Sequence, residues 1–417
     1  MNQPKVVDLF CGAGGASLGF VKAGYEVVGA IDADEDAIET YKKNLCGGDS
    51  VVDEFPGTIA FDEPLRADLS RGYEDEDVDD GLSTVTFDDI RSHFDIEPGE
   101  VNVICGCPPC QNFSSLRDTE PWPEDKPKDN LLRAFVEFVA EEAPDVVFFE
   151  NVRNIMTAGE DVPSTYIDWL TRSMKSIIRD GDSQQEGGYG YALDVLNAAD
   201  YGIPQRRHRT IGLFVYGRDN DDVTLPEQTH AEDLDPNSSL NPWVSVNDAL
   251  RKYDDLKYDL KSGERQVGIE GYPDDPEHRA RRHHTRTIER MEAIRRHGGS
   301  WRDLIDTDDE EYIVDAHDGL EAGAASAYGI MNGDEPAPTL TTRCTTPSSG
   351  RFTHPDINRG ITFREAALLM TFPRWFELPS KNDAAERVVG NAVPPKLVEQ
   401  IANTLSVYLR QATKMEQ

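Results

Sequence analysis

The chain has 417 residues and a formal net charge of −36, because 78 acidic residues outnumber 42 basic ones. This length is enough for a full hydrophobic core and predicts two domains. No apolar run is long enough to span a membrane, and six cysteines do not suffice for a disulfide framework. Because the N-terminus leads directly into a predicted strand, we expect no signal peptide. We therefore expect a cytoplasmic protein with reduced thiols. The acidic excess by itself argues against a nucleic-acid partner, since phosphate-binding proteins usually carry basic patches.

Apolar stretches of strand length alternate with helical patterns in the first half of the chain. In chain order we predict a strand at Lys5–Phe10, a helix ending near Ala23, a strand at Glu26–Ile31, a helix at Glu35–Asn44, a strand at Val101–Ile104, a helix at Leu131–Glu142, and strands at Asp145–Phe149 and Thr210–Tyr216. Such alternation is typical of an α/β fold with a mostly parallel sheet. Ligands of these folds bind at the carboxyl ends of the strands. One site can therefore contain the four residues predicted to lie there, Gly12, Asp32, Cys110 and Glu150.

The pattern changes after the last of these strands. Prolines, glycines and polar residues dominate from Arg218 to Pro355, which predicts a loop-rich second domain. The stretch from Ala384 to Met415 predicts a turn and a helix that return to the first domain. We expect a first domain of residues 1–217, completed by residues 385–417, and a second domain of residues 218–384.

A glycine-rich turn, Gly12-Ala13-Gly14-Gly15, lies between the first predicted strand and helix. Glycines in such a turn let a cofactor approach the backbone, and an acid ending the second strand, here Asp32, can bind ribose hydroxyls. Ser17 stands where the G-x-G-x-x-G pattern of dinucleotide-binding proteins has a glycine. This difference argues against a dinucleotide cofactor. Asp89 either contacts the adenine of such a cofactor or is an ordinary loop acid.

The run Pro108-Pro109-Cys110-Gln111 follows a predicted strand and precedes a polar loop. Two prolines stiffen the backbone, so Cys110 is presented in the manner of a nucleophile. Cys105 and Cys107 lie close in sequence, and zinc binding is the alternative. Zinc sites usually need a second C-x2-C or a pair of histidines at a matching distance, and neither is evident, so we expect no metal.

Glu150 follows four apolar residues at the end of a predicted strand. A carboxylate at such a boundary is costly unless it is paired or has a raised pKa for acid catalysis; the alternative is a strand-end acid that faces solvent. Cys110 and Glu150 at neighbouring strand ends suggest a nucleophile with a nearby proton donor. Arg207 and Arg209 alternate on a strand-like segment, so we expect both to point the same way and to pair with Glu150, the thiolate or a phosphate. A basic pair on an edge strand is the alternative.

Residues 278–302 contain eight arginines and four histidines against two glutamates. In so acidic a chain, this arginine-rich segment is the best candidate for a surface that faces phosphates. The alternative, for about half of its residues, is the solvent face of a helix.

The motifs together, in their order along the chain, resemble those of the DNA (cytosine-5) methyltransferase family. They are Phe10-Cys11-Gly12-Ala13-Gly14-Gly15, Pro108-Pro109-Cys110-Gln111, Glu150-Asn151-Val152, Gln205-Arg206-Arg207-His208-Arg209 and Gly390-Asn391-Ala392-Val393-Pro394-Pro395. The resemblance extends from Val6 to about Val398. It implies the Rossmann-like sheet of an S-adenosylmethionine-dependent methyltransferase with a smaller, loop-rich target-recognition domain. It also implies a monomer acting on double-stranded DNA, with a cognate restriction endonuclease as a candidate partner.

The resemblance further implies roles for individual residues. S-adenosylmethionine would be bound by Phe10, Gly12, Gly14, Gly15, Asp32, Asp89, Ile90, Pro109, Leu131, Asn391 and Val393. Cys110 would be the nucleophile, and Glu150 would hydrogen-bond ring nitrogen 3 of the target cytosine. Arg207 and Arg209 would position the base and its phosphate. DNA would be contacted by Gln111, Ser114, Arg279, Arg281, Arg282, Arg302, Thr341 and Thr342.

Three other functions fit parts of the sequence. A related enzyme that methylates cytosine in transfer RNA is the nearest, although the long, arginine-containing recognition region favours DNA. A non-catalytic regulator with the same fold is disfavoured by the intact Cys110, Glu150 and Arg207. A nicotinamide-dependent oxidoreductase is disfavoured by the glycine spacing and by the cysteine.

The acidic composition and the DNA-directed motifs are compatible in concentrated salt. At molar salt the Debye length is about 3 Å, which screens the repulsion between an acidic protein and DNA. Acidic surfaces also keep the proteins of halophiles soluble, and our hypothesis is a halophilic archaeal source.

We expect methyl transfer to DNA, measured with labelled S-adenosylmethionine, to increase from dilute buffer to about 2 M KCl. Activity that is highest in dilute buffer would contradict this hypothesis.

Overall fold

The computed structural model describes residues 3–46, 54–69, 85–109, 130–156, 165–179, 181–182, 187–235, 237–251, 275–314 and 326–415. The strands are β1 Lys5–Leu9, β2 Glu26–Asp32, β3 Thr58–Ile59, β4 Leu65–Arg66, β5 Val103–Gly106, β6 Val146–Val152, β7 Tyr189–Asn197, β8 Gln205–Arg206, β9 His208–Tyr216, β10 His230–Ala231, β11 Asn241–Pro242 and β12 Ala337–Pro338. The helices are α1 Gly15–Lys22, α2 Glu35–Leu45, α3 Phe87–Phe94, α4 Asn130–Glu142, α5 Tyr166–Ser176, α6 Val246–Arg251, α7 Thr285–His297, α8 Phe363–Leu369, α9 Asn382–Asn391 and α10 Pro395–Met415. Across these ranges, none of the helices combines the length and the apolar character needed to cross a membrane.

The main sheet has the strand order β3-β2-β1-β5-β6-β9-β7, and β4 pairs with β2 beside it. The strands from β2 to β6 in this order pair in parallel. Strand β9 is antiparallel to both of its neighbours, β6 and β7. The prediction of an α/β fold with a mostly parallel sheet is confirmed. Strands β1, β5 and β6 are buried along almost their whole length, which explains their unbroken apolar sequences.

Several predicted elements differ from the structure in their bounds. The strand expected at Val101–Ile104 lies two residues later, and the strand expected to end at Phe149 continues to Val152, so that Glu150 lies within it. Strand β7 has no counterpart among the predicted elements. Its residues beyond Gly190 are mostly half-buried on both faces, and its sequence lacks the alternation that marks a strand.

The chain forms two compact units. The first unit contains Met1–Asn197, His208–Glu227 and Val393–Gln417, and it includes the main sheet, α1–α5 and α10. The second unit contains Ala198–Arg207 and Gln228–Ala392, with the short strand pairs β8–β12 and β10–β11 and the helices α6–α9. The sequence-based division at residues 217 and 385 stays a prediction about folding domains. The compact units differ from it most clearly in placing Ala198–Arg207 in the second unit.

A buried carboxylate joins two helices of the first unit to the start of a strand. Glu142, the last residue of α4, has a side chain that is 0% exposed. Its Oε2 accepts hydrogen bonds from Nη2 and Nε of Arg91 on α3, at 2.6 and 3.2 Å. Its Oε1 accepts from the backbone N–H groups of Gly99 and Val101, at 3.1 and 3.3 Å. The carboxylate therefore holds the chain that enters β5.

We expect Glu142→Ala to destabilise the protein by about 3 kcal/mol, because it leaves a largely buried guanidinium and two backbone donors without their acceptor. Urea unfolding measures the change. The neighbouring Glu141→Ala is a matched control, because the Glu141 side chain is 45% exposed and lies 3.8 Å from the same arginine. Its substitution should cost less than about 1 kcal/mol. Equal effects of the two substitutions would contradict the proposed role of Glu142.

Candidate functional site

The register of the sheet aligns the ends of four parallel strands. One row of neighbours crosses β2, β1, β5 and β6 at Ile31, Leu9, Gly106 and Phe149. The next residue on each strand is Asp32, Phe10, Cys107 or Glu150. Adjacent strands are about 4.8 Å apart, so these four residues span about 15 Å along one edge of the sheet. The edge carries two of the cofactor-binding candidates from the sequence, Phe10 and Asp32, and one catalytic candidate, Glu150.

The glycine-rich turn after β1 is tied to the end of β2. Gly12 donates its N–H to Oδ2 of Asp32 at 2.9 Å, and Oδ1 of Asp32 accepts from the N–H of Asp34 at 2.8 Å. Burial raises the pKa of Asp32, while these backbone hydrogen bonds lower it. Phe10, at φ 61°, and Gly12, at φ 52°, turn the chain sharply. No described atom outside the turn lies within 4 Å of the place where a Gly12 Cβ would stand, so this backbone is open to a ligand.

Gly14 is required by its conformation and by its neighbours. It is the N-terminal cap of α1, with φ 89° in the left-handed region. A Cβ at this position would lie 2.3 Å from Cδ1 of Leu45 and 2.9 Å from Cδ2 of Tyr41, both on α2. Gly15 begins α1 and is buried. The turn can therefore keep its shape only with glycine at Gly14.

A buried acid that the sequence analysis did not single out lies beneath this turn. Asp8 on β1 is 0% exposed, and its Oδ2 accepts hydrogen bonds from Oγ and N–H of Ser17 on α1, at 2.6 and 3.1 Å. Burial raises the pKa of Asp8 to about 6, and hydrogen bonds from Ser17 and Cys105 oppose that rise. The signal in the sequence is a single acid inside an apolar strand. Ser17 occupies the position where a dinucleotide-binding pattern has glycine, and it serves this contact.

Glu150 forms an ion pair inside the sheet edge. Its Oε1 lies 3.0 Å from Nε of Arg209, and the two side chains are only 10% and 14% exposed. Arg209 is the second residue of β9, which begins where the antiparallel β6 ends, opposite Val152. The expected pairing of Glu150 with Arg209 is therefore present. The alternative interpretation requires Glu150 to face bulk solvent, and it does not.

The residue after Glu150 holds the segment that leads to Cys110. Asn151 is 2% exposed, and its Nδ2 donates to the carbonyl oxygen of Pro108 at 3.1 Å. Pro108 is buried and Pro109 is exposed. Cys110, Gln111 and Ser114 lie outside the described residues. The sequence analysis included Asn151 in a motif without giving it this contact.

The expectation that Arg207 and Arg209 point the same way is wrong. Arg207 is 1% exposed and belongs to the second unit. Its Nη1 donates to the carbonyl of Leu340 at 2.9 Å, and its Nη2 donates to the carbonyls of Gly390 and Ala392 at 3.0 and 2.9 Å. The alternation fails because β8 ends at Arg206 and β9 begins at His208, so the segment is not one continuous strand. Arg207 binds backbone carbonyls, whereas Arg209 binds Glu150.

The described cysteines are poorly suited to act as thiolates. Burial is the largest cause that raises the pKa of Cys11 and Cys105 well above the ordinary thiol value, and that raises the pKa of Cys46 and Cys344 to about 12. A hydrogen bond with Cys105 lowers the pKa of Cys107, but burial and nearby carboxylates raise it to about 11. In the part of the chain that the structure describes, no group of three or more His, Cys, Asp and Glu side chains is placed to hold a metal ion.

The remaining cofactor candidates have varied environments. Asp89 is neither in a loop nor buried: it is exposed in the first turn of α3, where its Oδ2 accepts from N–H and Oγ1 of Thr86 at 2.9 and 2.7 Å. These hydrogen bonds lower the pKa of Asp89. Ile90 is fully buried in the core of the first unit, and Leu131 is half-buried at the start of α4. Asn391 is the exposed last residue of α9 in the second unit, and Val393 is buried in the first.

Most of the arginine-rich segment 278–302 is used inside the second unit. Six of its arginines donate hydrogen bonds to carbonyl or carboxylate oxygens of that unit: Arg279, Arg281, Arg286, Arg290, Arg295 and Arg296. Nη2 of Arg279 donates to the carbonyl of Pro379 at 2.6 Å, and Arg281 pairs with Asp383 and Glu386. Arg279 and Arg281 therefore have internal partners, and their predicted contact with DNA phosphates stays a prediction. Arg282, Arg302, Thr341 and Thr342 are exposed, and their contact with DNA stays a prediction.

Comparison with known proteins identifies relatives over nearly the whole chain. The family model described as C-5 cytosine-specific DNA methylase matches residues 4–55 and 79–406. The Type II methyltransferase M1.HphI of Haemophilus parahaemolyticus is 28% identical over 401 residues, which cover 96% of this chain and 86% of that protein. The Type II methylase M.HgiDII of Herpetosiphon aurantiacus is 28% identical over 415 residues, with coverage of 97% and 95%. The crystal structure of the S. pombe Dnmt2 methyltransferase shares the fold, with a TM-score of 0.54, 16% identity and coverage of 98% and 99%.

The raised pKa of Asp8 predicts a specific pH dependence of stability. A carboxyl with a pKa near 3.8 in the unfolded chain and about 6 in the folded protein favours folding at low pH. That contribution is complete below about pH 4 and is lost as the pH rises through 6, an effect of roughly 3 kcal/mol. Asp8→Asn should lack this loss, so its free energy of unfolding relative to the wild type should increase between pH 4 and pH 7. Urea titrations across this range measure the difference, and parallel profiles would rule the effect out.

Proposed function

The chain belongs to the C-5 cytosine-specific DNA methylase family and is a DNA (cytosine-5) methyltransferase that uses S-adenosylmethionine as its methyl donor, and we propose that Cys110, Glu150 and Arg209 carry out its chemistry. The observation that carries the proposal is the buried Glu150–Arg209 pair at the aligned strand edge. The next residue along β6, Asn151, binds the carbonyl of Pro108, two residues before Cys110. The proposal therefore takes the nucleophile from the segment after β5 and the hydrogen-bonding acid from the neighbouring strand β6.

The chemistry explains why both groups are needed. Carbon 5 of cytosine is not nucleophilic enough to accept a methyl group unaided. The family's reaction therefore passes through a covalent cysteine adduct, in which the thiolate attacks carbon 6 and makes carbon 5 enamine-like. Glu150 is proposed to act in its protonated form: its carboxyl group donates a hydrogen bond or the proton to ring nitrogen 3, which neutralises the negative charge that the attack creates. Bound S-adenosylmethionine supplies the methyl group that carbon 5 takes up. A water molecule or hydroxide then takes the carbon 5 proton, the electron pair left behind re-forms the 5,6 double bond, and the carbon 6–sulfur bond breaks to release the Cys110 thiolate.

The raised pKa values of the other described cysteines support the assignment of the nucleophile to Cys110. Burial raises the thiol pKa at Cys11, Cys46, Cys105 and Cys344, and the pKa of Cys107 is about 11, so each stays protonated near neutral pH. In the sequence Cys110 directly follows Pro109, which is exposed, and Asn151 binds the carbonyl of Pro108. Carbon 6 is inaccessible inside a base stack, so the enzyme flips the target cytosine out of the duplex.

The residues of the glycine-rich turn fit a nucleoside cofactor. Gly12 presents open backbone, and Asp32 at the neighbouring strand end offers a carboxylate that can bind ribose hydroxyls. We propose that Phe10, Gly12, Gly14 and Asp32 hold the cofactor, with Asp8 fixing the turn from below. For Asp89 we propose that Oδ2 stabilises the first turn of α3 through Thr86, and the cofactor contact implied by the resemblance stays a prediction.

The relatives suggest the biological setting. The two bacterial relatives reported above are named a Type II methyltransferase and a Type II methylase. We propose that this chain is likewise a modification enzyme that protects its target sites from a cognate restriction endonuclease. We propose further that it acts as a monomer in the cytoplasm, where reducing conditions keep a catalytic thiol free.

The decisive test is transfer of labelled methyl from S-adenosylmethionine to unmethylated genomic DNA, with identification of the product base. We expect 5-methylcytosine at a defined sequence and no transfer to transfer RNA. Label that enters RNA and not DNA would favour the transfer RNA enzyme instead.

Cys110→Ser should abolish this transfer and leave the dissociation constant for S-adenosylmethionine unchanged, because the hydroxyl is a far weaker nucleophile than a thiolate. Cys107→Ser is the matched control and should retain turnover, since that thiol is protonated at neutral pH. Turnover by Cys110→Ser would disprove the assignment of the nucleophile.

A further inference from the structure

A loop of the second unit, Leu340–Thr346, has an exposed tip and buried ends. Thr341, Thr342 and Arg343 are exposed, whereas Cys344 and Thr345 are 0% exposed. The tip is polar and carries an arginine, in a protein with a net charge of −36. Such a tip is suited to a polyanionic partner, and two of its residues are the predicted DNA contacts Thr341 and Thr342.

The beginning of this loop is fixed by the Gln-Arg-Arg-His-Arg motif. Nη1 of Arg207 donates to the carbonyl of Leu340 at 2.9 Å, and Oε1 of Gln205 accepts from the N–H of Leu340 at 2.9 Å. Both backbone groups of Leu340 are therefore satisfied by side chains that are 1% and 0% exposed. These two hydrogen bonds therefore fix the backbone of Leu340, and with it the direction in which the loop begins.

The tip of the loop rests on helix α9. A Cβ at Gly390 would lie 2.4 Å from the carbonyl carbon of Thr341 and 2.4 Å from the backbone nitrogen of Thr342. Only glycine allows this approach without displacing the backbone of the tip. The backbone behind the two exposed threonines is therefore supported by packing.

The end of the loop is held by a buried carboxylate. Glu386 on α9 is 2% exposed, and its Oε1 accepts from Oγ1 and N–H of Thr345, at 2.5 and 2.9 Å, and from Oγ1 of Thr346 at 3.2 Å. Its Oε2 accepts from Nη2 of Arg281 at 2.5 Å. Arg281 also pairs with Asp383, whose side chain is 88% exposed. A buried carboxylate needs such a cation, because an unpaired charge in this place is strongly destabilising.

We propose that Glu386 is a positioning residue for target recognition, which holds the loop Leu340–Thr346 in one conformation so that its exposed tip meets DNA already ordered. In this arrangement Arg281 acts on the loop through Glu386 and does not contact a DNA phosphate. Pre-ordering the loop removes an entropic cost at the moment of binding, which favours affinity and discrimination between target sites. The inference rests on the proposed function, because it takes duplex DNA as the partner of the loop.

The effect on catalysis separates positioning from general stability. Glu386→Ala should raise the KM for DNA about tenfold, because two or three side chains then become ordered only on binding. It should also narrow the rate difference between the target and single-mismatch sites. The kcat and the affinity for S-adenosylmethionine should be unchanged. Glu386→Gln keeps a neutral acceptor for Thr345, so its KM for DNA and its discrimination between sites should lie close to those of the wild type. This variant replaces Glu386→Ala in the test if the alanine variant does not fold. Asp383→Asn removes the exposed partner of Arg281 and should leave all these values at the wild-type level.

The role of Arg281 is tested by the salt dependence of DNA binding. A phosphate contact contributes about 0.9 to the slope of log affinity against log salt concentration. Arg281→Gln should leave this slope unchanged, raise the KM for DNA, and give no further loss when combined with Glu386→Ala, because both act on one contact. A slope reduced by about 0.9, or additive losses in the double variant, would overturn the inference.

Trypsin cleavage after Arg343 in the absence of DNA tests the loop independently of activity. Glu386→Ala should hasten this cleavage at equal global stability. Unchanged cleavage and unchanged KM would overturn the inference while the methyltransferase function stood. If the wild-type protein failed to methylate DNA but cleavage responded to Glu386→Ala, the proposed function would fail and the positioning of the loop would remain.

Discussion

The parallel register of β2, β1, β5 and β6 is the constraint on which the rest of the site depends. Parallel strands release the chain at the same edge, so the glycine-rich turn, Asp32, the segment toward Cys110 and Glu150 all emerge along one row. Strand β9 runs the opposite way, and for that reason its beginning, rather than its end, reaches this edge. The single antiparallel strand thereby brings a cation, Arg209, to the buried carboxylate of Glu150.

Buried charges give the two units much of their specific geometry. Asp8, Glu142 and Glu386 lie almost fully inside the protein, and each carboxylate binds groups from a separate segment of the chain. The same holds for the guanidinium of Arg207, which binds three carbonyls. An unpaired buried charge is very costly, so each such group permits only the arrangement that satisfies it. The hydrogen bonds of these buried groups are consequently made to other segments of the protein and not to solvent.

One short motif serves both units. In Gln205-Arg206-Arg207-His208-Arg209, the first three residues belong to the second unit and the last two to the first. Gln205 and Arg207 fix the start of the loop Leu340–Thr346, while Arg209 holds Glu150. A change at Arg207 should therefore first alter the conformation of the loop Leu340–Thr346. A change at Arg209 should first alter the position of the Glu150 carboxylate.

The sequence by itself determined the family, the alternating fold and the positions of Asp32 and Glu150, because strand periodicity and motif order are local properties of the chain. It also led to the expectation that Glu150 would be paired. Only the tertiary structure decided which arginine pairs with it, since the direction of Arg207 depends on a break between β8 and β9 that no local pattern records. The same is true of the arginine-rich segment 278–302. Its composition is that of a phosphate-binding surface, but only the structure shows that Arg281 binds an internal carboxylate, that of Glu386, 105 positions away in the sequence.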